Sequence, residues 1–200
     1  MTVRIPAVLL LALTTAAASP AAVSRRATPP RPDGPAPAYA DGAPPGFSGG
    51  FGEPSCHACH FQAEPNAPPG RVSIDGVPQI FAPGQRYSVT VTLARPGMRA
   101  GGFQLTARFA DGGRQAGTLT AEGDGRVVVE KSGDILYANQ KAKGTALVGP
   151  DRAEWTLSWT APEAGGPVQF HVSANAADAD ESASGDYVYT ATVETTPAGR

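Results

Sequence analysis

From Arg71 to Val193 apolar and polar residues alternate with a period of two. Tyr87, Val89, Val91 and Leu93 interleave with Ser88, Thr90 and Thr92, and Phe103, Leu105, Ala107 and Phe109 with Gln104, Thr106 and Arg108. Trp155, Leu157 and Trp159 alternate with Thr156 and Ser158; Val168, Phe170, Val172 and Ala174 alternate with Gln169, His171 and Ser173. Tyr187, Tyr189, Ala191 and Val193 close the series. Successive side chains leave a strand on opposite sides, so each run predicts a strand with one buried and one wet face. Turn signals separate the runs at Pro83-Gly84, Pro96-Gly97, Asp111-Gly112-Gly113, Asp124-Gly125, Gly149-Pro150 and Gly165-Gly166-Pro167. Shorter strand candidates lie at 71–75, 117–121, 126–130 and 135–138. No stretch carries an amphipathic helical period. The pattern predicts an all-β fold, a two-sheet antiparallel sandwich of roughly seven to nine short strands.

The pattern differs before Arg71. Arg4 followed by an apolar run from Ile5 to Ala18, then Ala16-Ala17-Ala18-Ser19, has the layout of a secretory signal peptide over residues 1–21. The run is too short to span a bilayer, and no second run of about 20 apolar residues follows. This predicts a periplasmic or secreted protein without a membrane span. Residues 22–45 are rich in Pro and Ala with little to bury, and predict a disordered, extended tether. A Gly-rich stretch from Gly46 to Pro54 then leads into two cysteines, and a Pro-rich stretch from Ala63 to Gly70 ends the segment.

Composition narrows the function classes. The net charge is -2, with no basic stripe, which excludes the phosphate-binding surface that nucleic acid requires. Counts of 24 Gly and 20 Pro fit a turn-rich chain rather than a helical one. No H-E-x-x-H, G-x-S-x-G or phosphate-loop motif occurs, so the sequence gives no ground for an enzyme. Asp178, Asp180, Glu181 and Asp186 form an acidic cluster whose spacing matches no calcium loop.

The candidate chemistry sits at Cys56-His57-Ala58-Cys59-His60, which holds both cysteines of the chain. C-x-x-C-H is the spacing of covalent haem attachment. Two thiols add to the two vinyl groups on one porphyrin edge, and the next residue places its imidazole under the iron. Cys56 and Cys59 are thus expected to hold haem c, with His60 as proximal ligand and the preceding glycines letting the backbone lie against the porphyrin. Three other uses of these residues stay open: a local disulfide, a thioredoxin-like redox pair, and a zinc site drawing on Cys56, His57, Cys59 and His60. For the sixth iron position Met98, in a Pro-Gly loop at a strand edge, is one candidate distal ligand; His171, on the polar face of its strand, is the other. Lysine, asparagine or water also remain open there.

The run Gly46-Phe47-Ser48-Gly49-Gly50-Phe51-Gly52-Glu53-Pro54-Ser55 ahead of the C-x-x-C-H resembles the lead-in to a single haem motif in exported bacterial proteins carrying a reelin-type (Reeler-like) domain, the group labelled choice-of-anchor V. The resemblance continues through Pro83-Gly84-Gln85-Arg86-Tyr87, Gly102 to Ala107, Trp155 to Pro162, Phe170 to Ala176 and Ser184 to Tyr189. It implies an immunoglobulin-like β-sandwich, and it implies no defined reaction. Some members carry C-terminal anchors; the ending Thr196-Pro197-Ala198-Gly199-Arg200 has none and favours a free protein.

The expected division is a signal peptide over 1–21, a linker over 22–45, a haem-attachment segment over 46–70, a reelin-like sandwich over 71–195 and a tail over 196–200. The leading functional expectation is an exported monohaem cytochrome-like protein for electron transfer or for redox or gas sensing, its partner a redox protein. The alternative is a protein- or glycan-binding adhesion module with a Cys56–Cys59 disulfide and an exposed aromatic cluster at Phe47, Phe51 and Phe61.

Overall fold

The computed structural model describes Met1, residues 39–180 and residues 182–199. The expected signal peptide, Met1 apart, and most of the expected linker lie outside the described residues. Ten strands follow one another: β1 (Arg71–Asp75), β2 (Ile80–Phe81), β3 (Arg86–Ala94), β4 (Ala100–Phe109), β5 (Thr118–Ala121), β6 (Val127–Ser132), β7 (Ile135–Gln140), β8 (Arg152–Thr160), β9 (Val168–Ala177) and β10 (Tyr187–Pro197). They form an all-β sandwich of a four-stranded sheet, β1-β3-β8-β5, and a six-stranded sheet, β2-β10-β9-β4-β7-β6. Every pairing is antiparallel except β2 with β10, where Ile80 opposes Thr196 and Phe81 opposes Pro197 in parallel. β10 therefore runs two residues into the expected tail.

The alternation delivers the core. Val89, Val91, Leu93, Trp155, Leu157 and Trp159 from the smaller sheet face Phe103, Leu105, Ala107, Phe170, Val172 and Ala174 from the larger, all within one buried cluster. Cross-strand register sets the faces: Val91 opposes Trp155 on one sheet, and Leu105 opposes Val172 on the other. Two tryptophans anchor the interior, each with its ring nitrogen satisfied. Trp155 Nε1 donates to Gly144 O at 2.8 Å and Trp159 Nε1 to Ala116 O at 2.9 Å. Phe103 stacks on Trp155 at 4.6 Å between ring centres, and Phe81 and Phe170 meet Trp159 edge-on.

The outer face of the six-stranded sheet departs from expectation. Gln104, Thr106, Arg108, Asn139 and Ser173 occupy the positions the alternation assigns to water, yet all are buried. Residues 39–70 lie over that face as an arm. The start of the arm corrects the expected linker, because 39–45 are held to the sheet. Gln140 Nε2 donates to Tyr39 O at 2.9 Å and Gln104 Nε2 to Pro44 O at 2.9 Å. Ala142 N donates to Asp41 Oδ1 at 3.0 Å. Five partners satisfy the Gln104 amide, since its Oε1 accepts from Gly46 N and Phe47 N and its Nε2 also reaches Asn139 Oδ1 at 3.0 Å and Ala43 O at 3.4 Å. A buried side-chain amide is tolerated only when its hydrogen bonds are made, and here the arm makes most of them.

Candidate functional site

Two anchors hold the arm so that its cysteines sit over β9. The first is Glu53, whose carboxylate meets the Arg108 guanidinium of β4 and accepts from Tyr137 Oη of β7 at 2.5 Å and from Ser48 Oγ at 2.6 Å. Arg108 also donates to Tyr137 Oη at 2.6 Å. Burial pushes the Glu53 carboxyl up, but the hydrogen bonds from Ser48, Tyr137 and Arg108 and the Arg108 charge outweigh it and hold the carboxyl below its ordinary value. Burial, followed by the Glu53 contact, pushes the Tyr137 phenol up to about 12. The second anchor is a close approach. A Cβ on Gly50 would lie 2.2 Å from His171 Cγ, so only glycine lets the backbone pass over that imidazole. Phe51, at φ 54, then sets its ring edge-on to His171 at 4.9 Å. Gly50 of the lead-in thus serves the close approach to the His171 ring of β9.

After Glu53 the chain turns through Ser55, whose Oγ caps a 3-10 turn over Cys56–Ala58 by accepting from His57 N. Cys59 N and His60 N both donate to Cys56 O, at 3.2 and 3.0 Å, so Cys56, Cys59 and His60 fall on one side of a helical turn. Cys56 N donates to Ser173 Oγ of β9 at 3.0 Å, which fixes the turn on the sheet. His57 sits nearer the turn's own backbone, with Nδ1 3.2 Å from His60 O. Both thiols are free. Burial pushes the Cys56 thiol up to about 11, so it is protonated at neutral pH.

The three aligned residues border a cavity of about 540 Å³. Its wall is built largely of small and apolar residues, with Phe47 from the arm, Gly101 and Phe103 from β4, and Ala177 from β9. Asp186, just before β10, is 2 % exposed and lies with Oδ2 2.7 Å from His60 Nδ1. A carboxylate only accepts, so a proton sits on Nδ1, and in the neutral imidazole Nε2 is then the lone-pair nitrogen. Asn175 Nδ2 and Asp178 N fix the carboxylate, at 2.9 and 3.2 Å. Sequence reasoning left Asp186 in an acidic cluster and did not join it to His60. A buried carboxylate is the usual partner of a metal-ligating histidine, because it sets tautomer and ring orientation.

The other sequence candidates lie elsewhere. Met98 is corrected: its N closes the Pro-Gly turn onto Arg95 O at 3.2 Å, but its side chain is 5 % exposed within the core and does not line the cavity. A turn's backbone faces solvent while its apolar side chain follows the core. His171 is a cross-strand histidine, with Nδ1 3.0 Å from Thr192 Oγ1 beneath Gly50 and Phe51, and it does not line the cavity either. Burial lowers its pKa, and the Arg108 charge adds to that. The three arm phenylalanines do not form one patch. Phe47 lines the cavity, Phe51 packs on His171, and Phe61 is 61 % exposed. Among the described residues, no three His, Cys, Asp or Glu side chains converge as metal ligands. Nor, among them, is any helix long and apolar enough to cross a membrane.

No family model matches the chain, and no curated protein matches it. Among solved structures it is similar to the human F-spondin reeler domain, at 20 % identity and a TM-score of 0.45 over 64 % of this chain and 89 % of that one. It is likewise similar to the Reelin-N domain of F-spondin, at 20 % identity and a TM-score of 0.46 over 72 % and 96 % of the two chains. A cohesin module from a Clostridium perfringens family 33 glycoside hydrolase gives 8 % identity and a TM-score of 0.45, over 64 % and 96 %.

Proposed function

We propose that the chain is an exported, non-enzymatic binding module whose sandwich carries a covalently attached haem c in the cavity beside β9. The observation that carries this reading is the convergence of Cys56, Cys59 and His60 on one predominantly apolar cavity of about 540 Å³. The size falls within the range of roughly 300–1,000 Å³ typical of cofactor sites, and apolar walls suit a macrocycle. With Asp186 on Nδ1, His60 would offer its Nε2 to a haem iron. Haem bound there would supply a one-electron redox centre or an iron site for a small ligand. The chain's own parts have distinct tasks. Cys56 and Cys59 would tether the haem and His60 would ligate it, with Asp186 and Asn175 orienting His60, and the Glu53–Arg108 clasp keeps the turn against the sheet. Burial under the seated arm holds the Cys56 thiol protonated, so attachment would precede seating, while the segment is still open.

The test is the absorption spectrum of protein exported from a host that attaches haem, beside a Cys56→Ala, Cys59→Ala variant. The reading expects a Soret band that survives denaturation and organic extraction in the parent and is lost in the variant. A colourless parent with its thiols joined sinks it.

A second reading keeps the cavity and changes its occupant. In it the two cysteines form a local disulfide and the module grips a protein or glycan; Phe61, exposed directly after His60, favours this reading. The colourless outcome selects it.

A further inference from the structure

Resting on the haem reading, a further role follows for the two partners of His60. Asn175 pairs with Val188 across β9 and β10, and its side chain leaves β9 on the face that the arm covers, as Ser173 does two residues earlier. Asp186 stands two residues before Val188, so the register brings its carboxylate beside the Asn175 amide and within reach of His60. The two carboxylate oxygens divide their contacts. Oδ1 accepts from Asp178 N at 3.2 Å and ties down the loop before β10. Oδ2 accepts from Asn175 Nδ2 at 2.9 Å and lies 2.7 Å from His60 Nδ1. His60 and Asn175 therefore share one oxygen of a carboxylate that is almost wholly buried. Asn175 reaches it at a cost, since its own Oδ1 is buried with no partner among the described residues. An apolar side chain there would escape that cost and would give Oδ2 nothing.

We propose that Asp186 lowers the reduction potential of an iron held by His60, and that Asn175 moderates this by drawing charge from the same carboxylate oxygen. A carboxylate on Nδ1 raises the basicity of the ligating imidazole, which favours the more positive, oxidised iron. Burial leaves that charge poorly screened and strengthens its effect. Asn175 acts in the opposite sense, because its N–H on Oδ2 lessens the negative charge that Nδ1 meets. Both residues act through His60, so both are positioning residues.

The test is a redox titration, followed by absorption, of the haem-loaded full chain at neutral pH beside Asp186→Asn and Asn175→Leu. Asp186→Asn keeps an acceptor oxygen for Nδ1 and removes the charge. At a fixed solution potential its ratio of reduced to oxidised haem should rise at least about tenfold, a midpoint about 59 mV higher. Asn175→Leu takes one N–H from Oδ2 and should move the ratio roughly threefold the other way. The opposed signs are the signature, because a mere loosening of His60 would move both variants alike. Unshifted midpoints, or shifts of one sign, overturn the proposal and leave covalent haem standing. If Asp186→Asn loads no haem, the Asn175→Leu midpoint decides alone: a lower value supports the proposal, and an equal or higher one overturns it. A parent chain that carries no haem overturns the haem reading and the proposal with it, so the two failures are distinguishable.

Discussion

The outer faces of the two sheets share one sequence pattern and meet opposite environments. On the four-stranded sheet Ser88, Thr90, Thr92, Thr118, Thr120 and Thr156 point away from the core and none is buried, while Ser158 on that face is covered by the side chains of Arg86 on β3 and Glu122 just after β5. On the six-stranded sheet Gln104, Thr106, Arg108 and Ser173 also point away from the core, and all are buried. The difference is the arm of residues 39–70. It supplies Glu53 to Arg108, two backbone N–H groups to Gln104 and the Cys56 N–H to Ser173. Alternation therefore reports which residues avoid the core, and leaves open whether water or another segment covers them. The covered face is the one that carries the candidate site.

The largest effect that would break this comparison is expected at Arg108→Ala. Removing one partner of a buried pair leaves Glu53 and Tyr137 uncompensated, at a cost of about 3–5 kcal/mol. Chemical denaturation reads it, and Thr90→Ala on the open face should stay within about 0.5 kcal/mol. Equal costs at the two positions would erase the distinction between the faces.

Gly50→Ala is next. Its Cβ meets the His171 ring, so the arm must lift or the ring must turn, at roughly 1–3 kcal/mol. Amide exchange should accelerate across 47–60 and leave the core strands unchanged. Exchange that is unaltered would mean that the arm does not rest on His171.

Acidity sharpens the same contrast. His171 and Glu53 both have folded-state values below their ordinary 6.5 and 4.5, so their unfolded forms bind protons first. Arm protection is full above pH 6.5, weakens as pH falls through that value, and weakens further below 4.5. Tyr137 has the opposite sign: raised from 10 to about 12, it weakens the clasp as pH rises beyond 10. Exchange of arm amides against pH, compared with β3 amides, checks both limbs; parallel curves for the two sets would refute the clasp.

A smaller, kinetic effect is expected at the thiols of unloaded folded protein. With its pKa near 11, Cys56 should alkylate at least about 100-fold more slowly at pH 8 than an unstructured thiol. Cys59, exposed, should react well ahead of it. Equal rates, followed by peptide mass mapping, would place Cys56 outside the sheet.

Much of the fold was legible in the sequence because β3, β4, β8, β9 and β10 alternate strictly, with β-branched and aromatic residues on the buried side. The two-residue β2 was not, since Ile80–Phe81 is too short for a period and pairs with a distant β10. The cluster of Cys56, Cys59 and His60 was legible because its spacing is local. Glu53 and Arg108, 55 residues apart, and His60 and Asp186, joined only through β9 and β10, carry no local signal. Gln104 and Arg108, long polar side chains within the β4 alternation, were the one hint of a covered face. Met98 misled because Pro-Gly marks a turn in the backbone and says nothing about side-chain direction.

The most direct test of the account is the intact mass of the exported chain after denaturation, followed by mapping of the peptide that holds Cys56 and Cys59. The account predicts a mass increased by one haem, carried entirely on that peptide. A chain at its bare mass, or lighter by two hydrogens from a Cys56–Cys59 disulfide, would contradict it.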